Sequence, residues 1–307
     1  MEKKISVILV NYNGGKYNEA CIDSLRRSMD FNNEFEVRLQ IIVVDNASTD
    51  GSVRALREKY GSQIELIESA ENEGFSAANN RGILRAKQWG ADFVLLLNND
   101  TEIAPDMIKY LLECADRYPQ SVIVPKIYYS GDRKRLWFAG GSVSSVVRKI
   151  SHDGLDQIDE GQFDRERQIP FATGCCLFIP AKALERAGLL DERFFLYYED
   201  VEYSFRLQKN GISIRYCPEA YLYHKVGASS KGEDSALCAY YISRNWLLCS
   251  REHMGKRFWL FLLYYIPNRA ACCMLWLFRG KPQLVKAALL GMRDYARRRF
   301  GKTAYFG

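Results

Sequence analysis

Five acidic or imidazole residues stand out by where they fall. Asp45 closes the apolar run LQIIVV, and Asp100 closes a second, LLLNND. Glu199 and Asp200 are adjacent and follow Phe194, Phe195, Leu196, Tyr197 and Tyr198. His224, one of three histidines, ends the segment AYLYH. A carboxylate at the end of a strand can accept the N3–H of a uracil or thymine ring, which is the chemistry open to Asp45. A departing diphosphate accumulates negative charge and calls for a divalent cation. Magnesium is usually held by one or two carboxylates, with phosphate oxygens completing its shell, and Asp100 is placed to be such a ligand. An alcohol is a poor nucleophile at neutral pH and needs a base. The Glu199–Asp200 pair fits that need, because desolvation by aromatic neighbours makes a carboxylate more basic. Plainer roles compete: Asp100 and Asp200 would also serve as caps, and a lone histidine is more often structural.

The elements that must position these residues alternate through the first half. Residues 5–10 (ISVILV) form a continuous β-branched run, as expected of a strand buried on both faces. A polar loop over 11–16 leads to a helix ending near Met29. Residues 39–44 repeat the strand pattern, and the turn-rich DNASTDG (45–51) opens a helix through Tyr60. A third strand is predicted at 64–68 and a helix at 75–89. A fourth strand at 93–97 (FVLLL) precedes a helix that starts at Pro105 and runs to Arg117. This alternation predicts βαβ units and an α/β fold with a mainly parallel sheet. Ligands of such sheets sit beyond the carboxyl ends of the strands, where Asn11, Asp45 and the Asn98–Asp100 group lie. The second half has shorter strand-like pieces at 137–141, 144–150, 174–179, 212–217 and 220–224, with helices at 180–187 and 200–209. From Arg244 onward the chain reads as helical, apolar and basic.

Composition narrows the class. Hydrophobic residues make up 48% and charged residues 26% of the 307, which excludes a disordered chain. The formal charge is +6, yet residues 251–302 hold twelve Lys/Arg and two Asp/Glu. The tail is therefore strongly basic and the remainder mildly acidic. The tail's basic residues alternate with Trp, Phe, Leu and Tyr and carry no recognised nucleic-acid reader motif, so nucleic acid is not expected as a partner. Nine cysteines without zinc-like spacing, and no secretory signal before the first strand, predict free thiols in the cytoplasm. The apolar stretch 258–278 is long enough to span a bilayer but holds Pro267, Asn268 and Arg269 at its middle. The expectation is two shorter helices, 258–266 and 270–278, lying on an anionic membrane surface, with a buried helical hairpin docked on the body as the alternative.

Taken in order, seven segments resemble the inverting glycosyltransferases of family 2, with their GT-A fold, and most closely the rhamnosyltransferase-like branch. They are VILVNYNGG (7–15), IIVVDNASTDGS (41–52), NEGFSAANNRGI (72–83), LLLNNDTEI (95–103), ATGCCLFI (172–179), LLDERFFLYYEDVEYSFRLQKNG (189–211) and YHKVGAS (223–229). The resemblance implies that Asn11 and Asp45 hold the nucleotide base and that Asn72 and Gly74 belong to a loop closing over the nucleotide. Asn98 and Asp100 stand where the family carries its DxD metal motif, with Asp100 as ligand to Mg2+ or Mn2+. Asn98 departs from that pattern, since many relatives have aspartate there. Thr173, Gly174 and Glu199 would line the donor-sugar and acceptor site, Asp200 would be the catalytic base, and His224 a second metal contact. The implied reaction moves a sugar from a UDP- or dTDP-sugar, such as dTDP-rhamnose, to a saccharide acceptor, lipid-linked, in cell-surface polysaccharide assembly. The competing reading is a non-catalytic nucleotide-sugar-binding scaffold. The expected organisation is a GT-A catalytic domain, 1–243, followed by a helical membrane-association segment, 244–307, at the inner face of the cell membrane. A homodimer is compatible with this reading.

Overall fold

The computed structural model describes residues 2–29, 36–144, 149–226 and 235–306. Its centre is a ten-stranded mixed sheet. The first half supplies β1 (Lys3–Asn11), α1 (Gly15–Ser28), β2 (Val37–Asp45), α2 (Ser52–Tyr60), β3 (Glu65–Glu68), α3 (Phe75–Trp89) and β4 (Phe93–Asn98). These four strands are parallel, in the order β3-β2-β1-β4. The apolar runs explain why. Ile5, Val7, Ile8, Leu9, Ile42, Val43, Val44, Leu95 and Leu96 are buried, so a sheet covered on both faces is the arrangement that removes all of them from water. Helix α3 packs on β1 and β2. Gly82 permits the close approach, because a Cβ there would fall 2.5 Å from Ile8 Cγ2.

The chain then adds β5 (Thr101–Ile103), α4 (Met107–Arg117), β6 (Val122–Tyr129), β7 (Asp132–Phe138), β8 (Gly141–Val143), β9 (Ile150–His152), β10 (Arg167–Ile169), β11 (Cys176–Pro180), α5 (Ala181–Ala187), α6 (Glu199–Lys209) and β12 (Ile214–His224). Strand β11 runs antiparallel beside β4 and carries the sheet on to β6, β12 and β10. The two strands expected at 212–217 and 220–224 are one strand whose pairing with β6 shifts between Cys217 and Tyr221, opposite Pro125 and Lys126. The residues inserted on this strand, 218–220, begin with Pro218 and lie opposite Pro125, and neither proline can donate to the ladder there. Of the strand-like piece expected at 144–150, residues 145–148 lie outside the described residues. Helix α4 begins two residues after Pro105, which sits in the preceding turn.

The last part is α7 (Ala236–Met254), α8 (Phe258–Phe278) and α9 (Pro282–Ala296). The boundary expected at 243/244 falls inside α7. The expected break of 258–278 does not occur, and α8 is a single 21-residue helix with Pro267 in its interior. Proline removes one helical donor but is carried here by the packing on one side. Phe258, Phe261 and Tyr265 are buried on that side, with Phe261 and Tyr265 edge-on to Trp246 of α7. The Arg269 guanidinium also turns inward, 5.6 Å from the Trp246 ring. The opposite side exposes Trp259, Leu260, Leu263, Ile266, Met274 and Leu277, and Phe278 is 89% exposed.

Candidate active site

Where β1 and β2 end, their register sets Asn11 beside Asp45. The Asn11 amide donates to Asp45 Oδ1 at 2.7 Å and to Ser52 Oγ at 2.8 Å. Its carbonyl oxygen accepts from Asn18 Nδ2 at 2.8 Å, and Asn18 in turn accepts from Asn99 Nδ2 at 2.7 Å. The Ser48 backbone N–H donates to Asp45 Oδ2 at 2.9 Å. Asp45 is buried and fixed through both oxygens, each of which keeps a lone pair free for a donor. The loop after β3 is tied to the same place. Asn46 donates to Asn72 Oδ1 at 3.0 Å and to the Gly74 carbonyl at 3.2 Å, while the Gly74 N–H donates to Asn72 Oδ1 at 3.0 Å. Gly74 has φ +89°, and a Cβ there would fall 2.5 Å from the Phe195 carbonyl oxygen. Only glycine fits such a contact in that backbone conformation. Phe75 N–H donates to the same carbonyl at 2.8 Å, so the loop at 72–74 is locked to the aromatic segment before Glu199.

Asp100 and His224 meet because β5 pairs antiparallel with β12, with Thr101 opposite His224. Asp100 Oδ1 and His224 Nε2 lie 3.2 Å apart, and the residues are 5% and 6% exposed. Asp100 Oδ1 nevertheless has no hydrogen-bond partner among the described residues. A buried carboxylate oxygen without a hydrogen bond, facing an imidazole nitrogen, is an arrangement that a divalent cation would complete. Two adjacent ligands of an octahedral ion at about 2.1 Å stand about 3 Å apart, which suits this pair. His224 Nδ1 is also unpartnered, and the ring is steadied edge-on by Trp137 at 4.6 Å rather than by a hydrogen bond. A cavity of about 720 Å³ opens beside His224, lined by Tyr17, Tyr129, Asp132, Arg135, Asp156 and Lys225 among others. Lys225 follows His224, while residues 227–229 of the YHKVGAS segment lie outside the described residues.

Asp200 lies in the first turn of α6. It accepts the Gly174 N–H through Oδ2 at 2.9 Å and the Val201 N–H through Oδ1 at 2.8 Å. Thr173 is buried next to Gly174, and its hydroxyl accepts from the Cys175 N–H at 3.4 Å. The Cys175 carbonyl accepts from the Asn98 N–H at 2.9 Å. A short backbone path therefore joins the Asn98–Asp100 turn to Asp200. Burial pushes the Asp200 carboxyl up to about 6, against the lowering effect of the Gly174 and Val201 N–H groups. Glu199 is 7% exposed with Oε2 unpartnered among the described residues, and it is pushed well above the carboxylate range by burial first and by Asp200's charge second. Both carboxyls therefore hold a proton more tightly than usual, Glu199 more so than Asp200, and the two titrate as a pair.

Immediately before this pair, Tyr197 and Tyr198 have φ +65° and +73°. Two consecutive non-glycine residues in the left-handed region cost roughly 1–3 kcal/mol each and must be held by their surroundings. These groups are tied together by Asn99 of the Asn98–Asp100 group and by three amides outside the expected site residues: Asn18, Asn46 and, on α7, Asn245. Asn46 and Asn99 lie inside the DNASTDG and LLLNND segments, where a polar residue beside a key carboxylate was a usable signal. Asn245 sits in an apolar helix far along the chain, and only its polarity against that background marked it.

Over residues 6–188 the chain matches the family described as glycosyl transferase family 2. The chain belongs to glycosyl transferase family 2. It is thus an inverting glycosyltransferase. The family match ends before Asp200 and His224, so those two residues stand on their geometry. This family 2 chain is 27% identical over 275 residues to the N-acetylglucosaminyl-diphospho-decaprenol L-rhamnosyltransferase of Mycobacterium tuberculosis, covering 83% of this chain and 87% of the relative. It is 28% identical over 256 residues to the low-salt glycan biosynthesis hexosyltransferase Agl10 of Haloferax volcanii, covering 82% and 77%. It is 24% identical over 233 residues to the dTDP-rhamnosyl transferase RfbF of Shigella flexneri, covering 75% and 72%. The structure of residues 1–349 of S. aureus TarS in complex with UDP superposes with a TM-score of 0.55 at 17% identity, covering 96% of this chain and 90% of that one. That likeness establishes the GT-A fold.

The raised Asp200 carboxyl has a consequence for stability. A group whose folded-state pKa lies above its unfolded value of 3.8 contributes stability that is complete below that value and lost as pH rises through about 6. Asp200→Asn removes that loss. Its melting temperature relative to wild type should therefore be more favourable at pH 8 than at pH 4, by thermal denaturation at matched ionic strength. A difference that does not change with pH would show that Asp200 has an ordinary carboxyl.

Proposed function

We propose that this family 2 enzyme transfers a sugar from a UDP- or dTDP-sugar, dTDP-rhamnose first among them, to a lipid-linked saccharide in cell-surface polysaccharide assembly. The observation that carries this reading is the hydrogen-bonded path from the Asn98–Asp100 turn through Cys175 and Gly174 to Asp200. It puts a basic carboxylate and a cation-ready pair on one rigid frame. The two named rhamnosyl transferases among the relatives favour a deoxyhexose donor, and the decaprenol-linked acceptor named for one of them favours a lipid carrier.

In this reading Asn11 and Asp45 receive the base, Asp45 accepting a ring N–H, while the Asn72–Gly74 loop bounds the nucleotide. Asp100 and His224 would hold Mg2+ or Mn2+, which offsets the charge of the departing diphosphate. Asn98 in place of a second acidic residue leaves less negative charge there, so more of the ion's binding depends on the nucleotide's own phosphates. Thr173, Gly174 and Glu199 shape the sugar and acceptor subsite. Asp200 takes the proton from the attacking hydroxyl as the new bond forms opposite the leaving group, through an oxocarbenium-like transition state, and the anomeric configuration inverts. A scaffold that only bound nucleotide would have no need of this desolvated carboxylate behind a strained pair of tyrosines.

Two measurements separate the roles. Asp200→Asn should keep the affinity for UDP or dTDP in Mn2+ and lose roughly a hundred- to ten-thousandfold in turnover. Asp100→Ala should weaken the Mn2+-dependent part of that affinity, by calorimetric titration with and without EDTA. Wild-type turnover in Asp200→Asn would reduce Asp200 to a structural cap, and binding indifferent to EDTA would remove the metal from the site.

The same proposal places the enzyme peripherally on the cytoplasmic face of the membrane. One helical stretch, Ala236–Phe278, is long and apolar enough to cross a bilayer by length and composition. However, the inner side of α8 is sealed against α7, and Arg269 faces Trp246 rather than the outside. A helix with one side docked and the other apolar and exposed, bordered by Lys256, Arg257, Arg279 and Lys281, fits insertion into the headgroup region. Vesicles containing phosphatidylglycerol should bind the protein at low salt, with high salt or carbonate releasing much of it. Retention in carbonate would indicate a span, and indifference to anionic vesicles at low salt would refute membrane association.

A further inference from the structure

Helix α7 lies outside the segments that carry the family resemblance, yet it reaches the residues next to the proposed base. Asn245 is fully buried on α7. Its Nδ2 donates to the Leu196 carbonyl at 2.9 Å and to the Tyr197 carbonyl at 2.8 Å. Those carbonyls flank the start of the left-handed pair Tyr197–Tyr198. The orientation of the amide is forced from both sides. Its Oδ1 accepts from Arg244 Nε at 2.9 Å, and a guanidinium can only donate. Backbone carbonyls can only accept, so the NH2 group must face the loop.

Arg244 is itself an anchored part. It is 1% exposed, donates to the Gly301 carbonyl at 2.8 Å and the Arg193 carbonyl at 3.3 Å, and lies 4.8 Å from the Tyr241 ring. The Gly301 N–H donates back to the Arg193 carbonyl at 3.0 Å. Aromatic stacking closes the frame, Phe195 on Tyr241 and Tyr198 on Trp246. Thus both ends of the segment 193–197 are held by consecutive residues of one helix turn, and the segment delivers the chain straight into Glu199 and Asp200.

We infer that Asn245, oriented by Arg244, is a positioning residue for the transfer reaction: it holds Tyr197–Tyr198 in the left-handed conformation that aims Asp200 at the acceptor hydroxyl. The inference rests on Asp200 as the base. A misaimed base lowers the rate without touching the nucleotide, since misplacement by about 1 Å can cost a hundredfold. The C-terminal helices therefore complete the catalytic geometry in addition to any membrane role.

The test uses the full-length chain. Asn245→Ala should lower kcat by tenfold or more, while KM for the donor and the affinities for UDP and dTDP stay within about twofold. A merely structural residue would lower folded yield and affect all of these together. Glycine enters the left-handed region freely, so Tyr197→Gly introduced into Asn245→Ala should restore part of kcat or, if the single variant folds poorly, part of the folded yield. Wild-type kcat in a folded Asn245→Ala protein would overturn the inference, and so would a defect that Tyr197→Gly leaves unchanged. Asp200→Asn, assayed alongside, separates the two levels. If it is inactive while Asn245→Ala is fully active, only the positioning role fails; if it is fully active, the base assignment fails first.

Discussion

Two backbone N–H groups, from Gly174 and Val201, grip the Asp200 carboxylate while burial raises its affinity for a proton. The opposition between these effects is the constraint around which the rest is arranged. Too many donors would leave Asp200 ionised but weakly basic, and too much burial would leave it protonated. Glu199, in the same buried turn, is pushed up by burial and then by Asp200's charge, because two negative charges so close and so buried disfavour each other. Gly174 sits in the turn leading into β11, whose antiparallel pairing with β4 places it beside the Asn98–Asp100 turn.

Other long-range pairings serve the same small region. The short β5 exists through its register with β12, and that register is what brings His224 to Asp100 across more than a hundred residues. On the other side, α7 clamps the segment before Asp200. A parallel first half, a mixed second half and a helical tail thus meet at a few side chains, none of which could be placed by its own element alone.

Much of this was legible in the residues. Within the runs at 5–10, 39–44 and 93–97, residues 5–9, 41–44 and 93–97 are buried on both faces, and their apolar continuity announces strands with polar residues at their carboxyl ends. The helix at 75–89 was equally plain from its bounds. Strand β6 was not, because Pro125 interrupts a run that is nonetheless central, and the three-residue β5 and β10 are too short to show a period. Pro267 misled in the opposite direction: local chemistry predicts a break, whereas packing of Phe261 and Tyr265 on Trp246 keeps α8 whole. Arg269, costly if read as facing lipid, turns toward an indole. Within the site, residues at strand ends could be read from position, but the amides of Asn18, Asn46, Asn99 and Asn245 acquire meaning only through partners distant in the chain.

In the proposed reaction a half-buried Asp200, raised above its ordinary range, takes the proton from the acceptor. The pH dependence of kcat/KM tests it most directly. An acid limb with a midpoint near 6 is expected, where activity falls as Asp200 becomes protonated. A profile flat from pH 5 to pH 8, or one whose acid limb lies near 4, would contradict it.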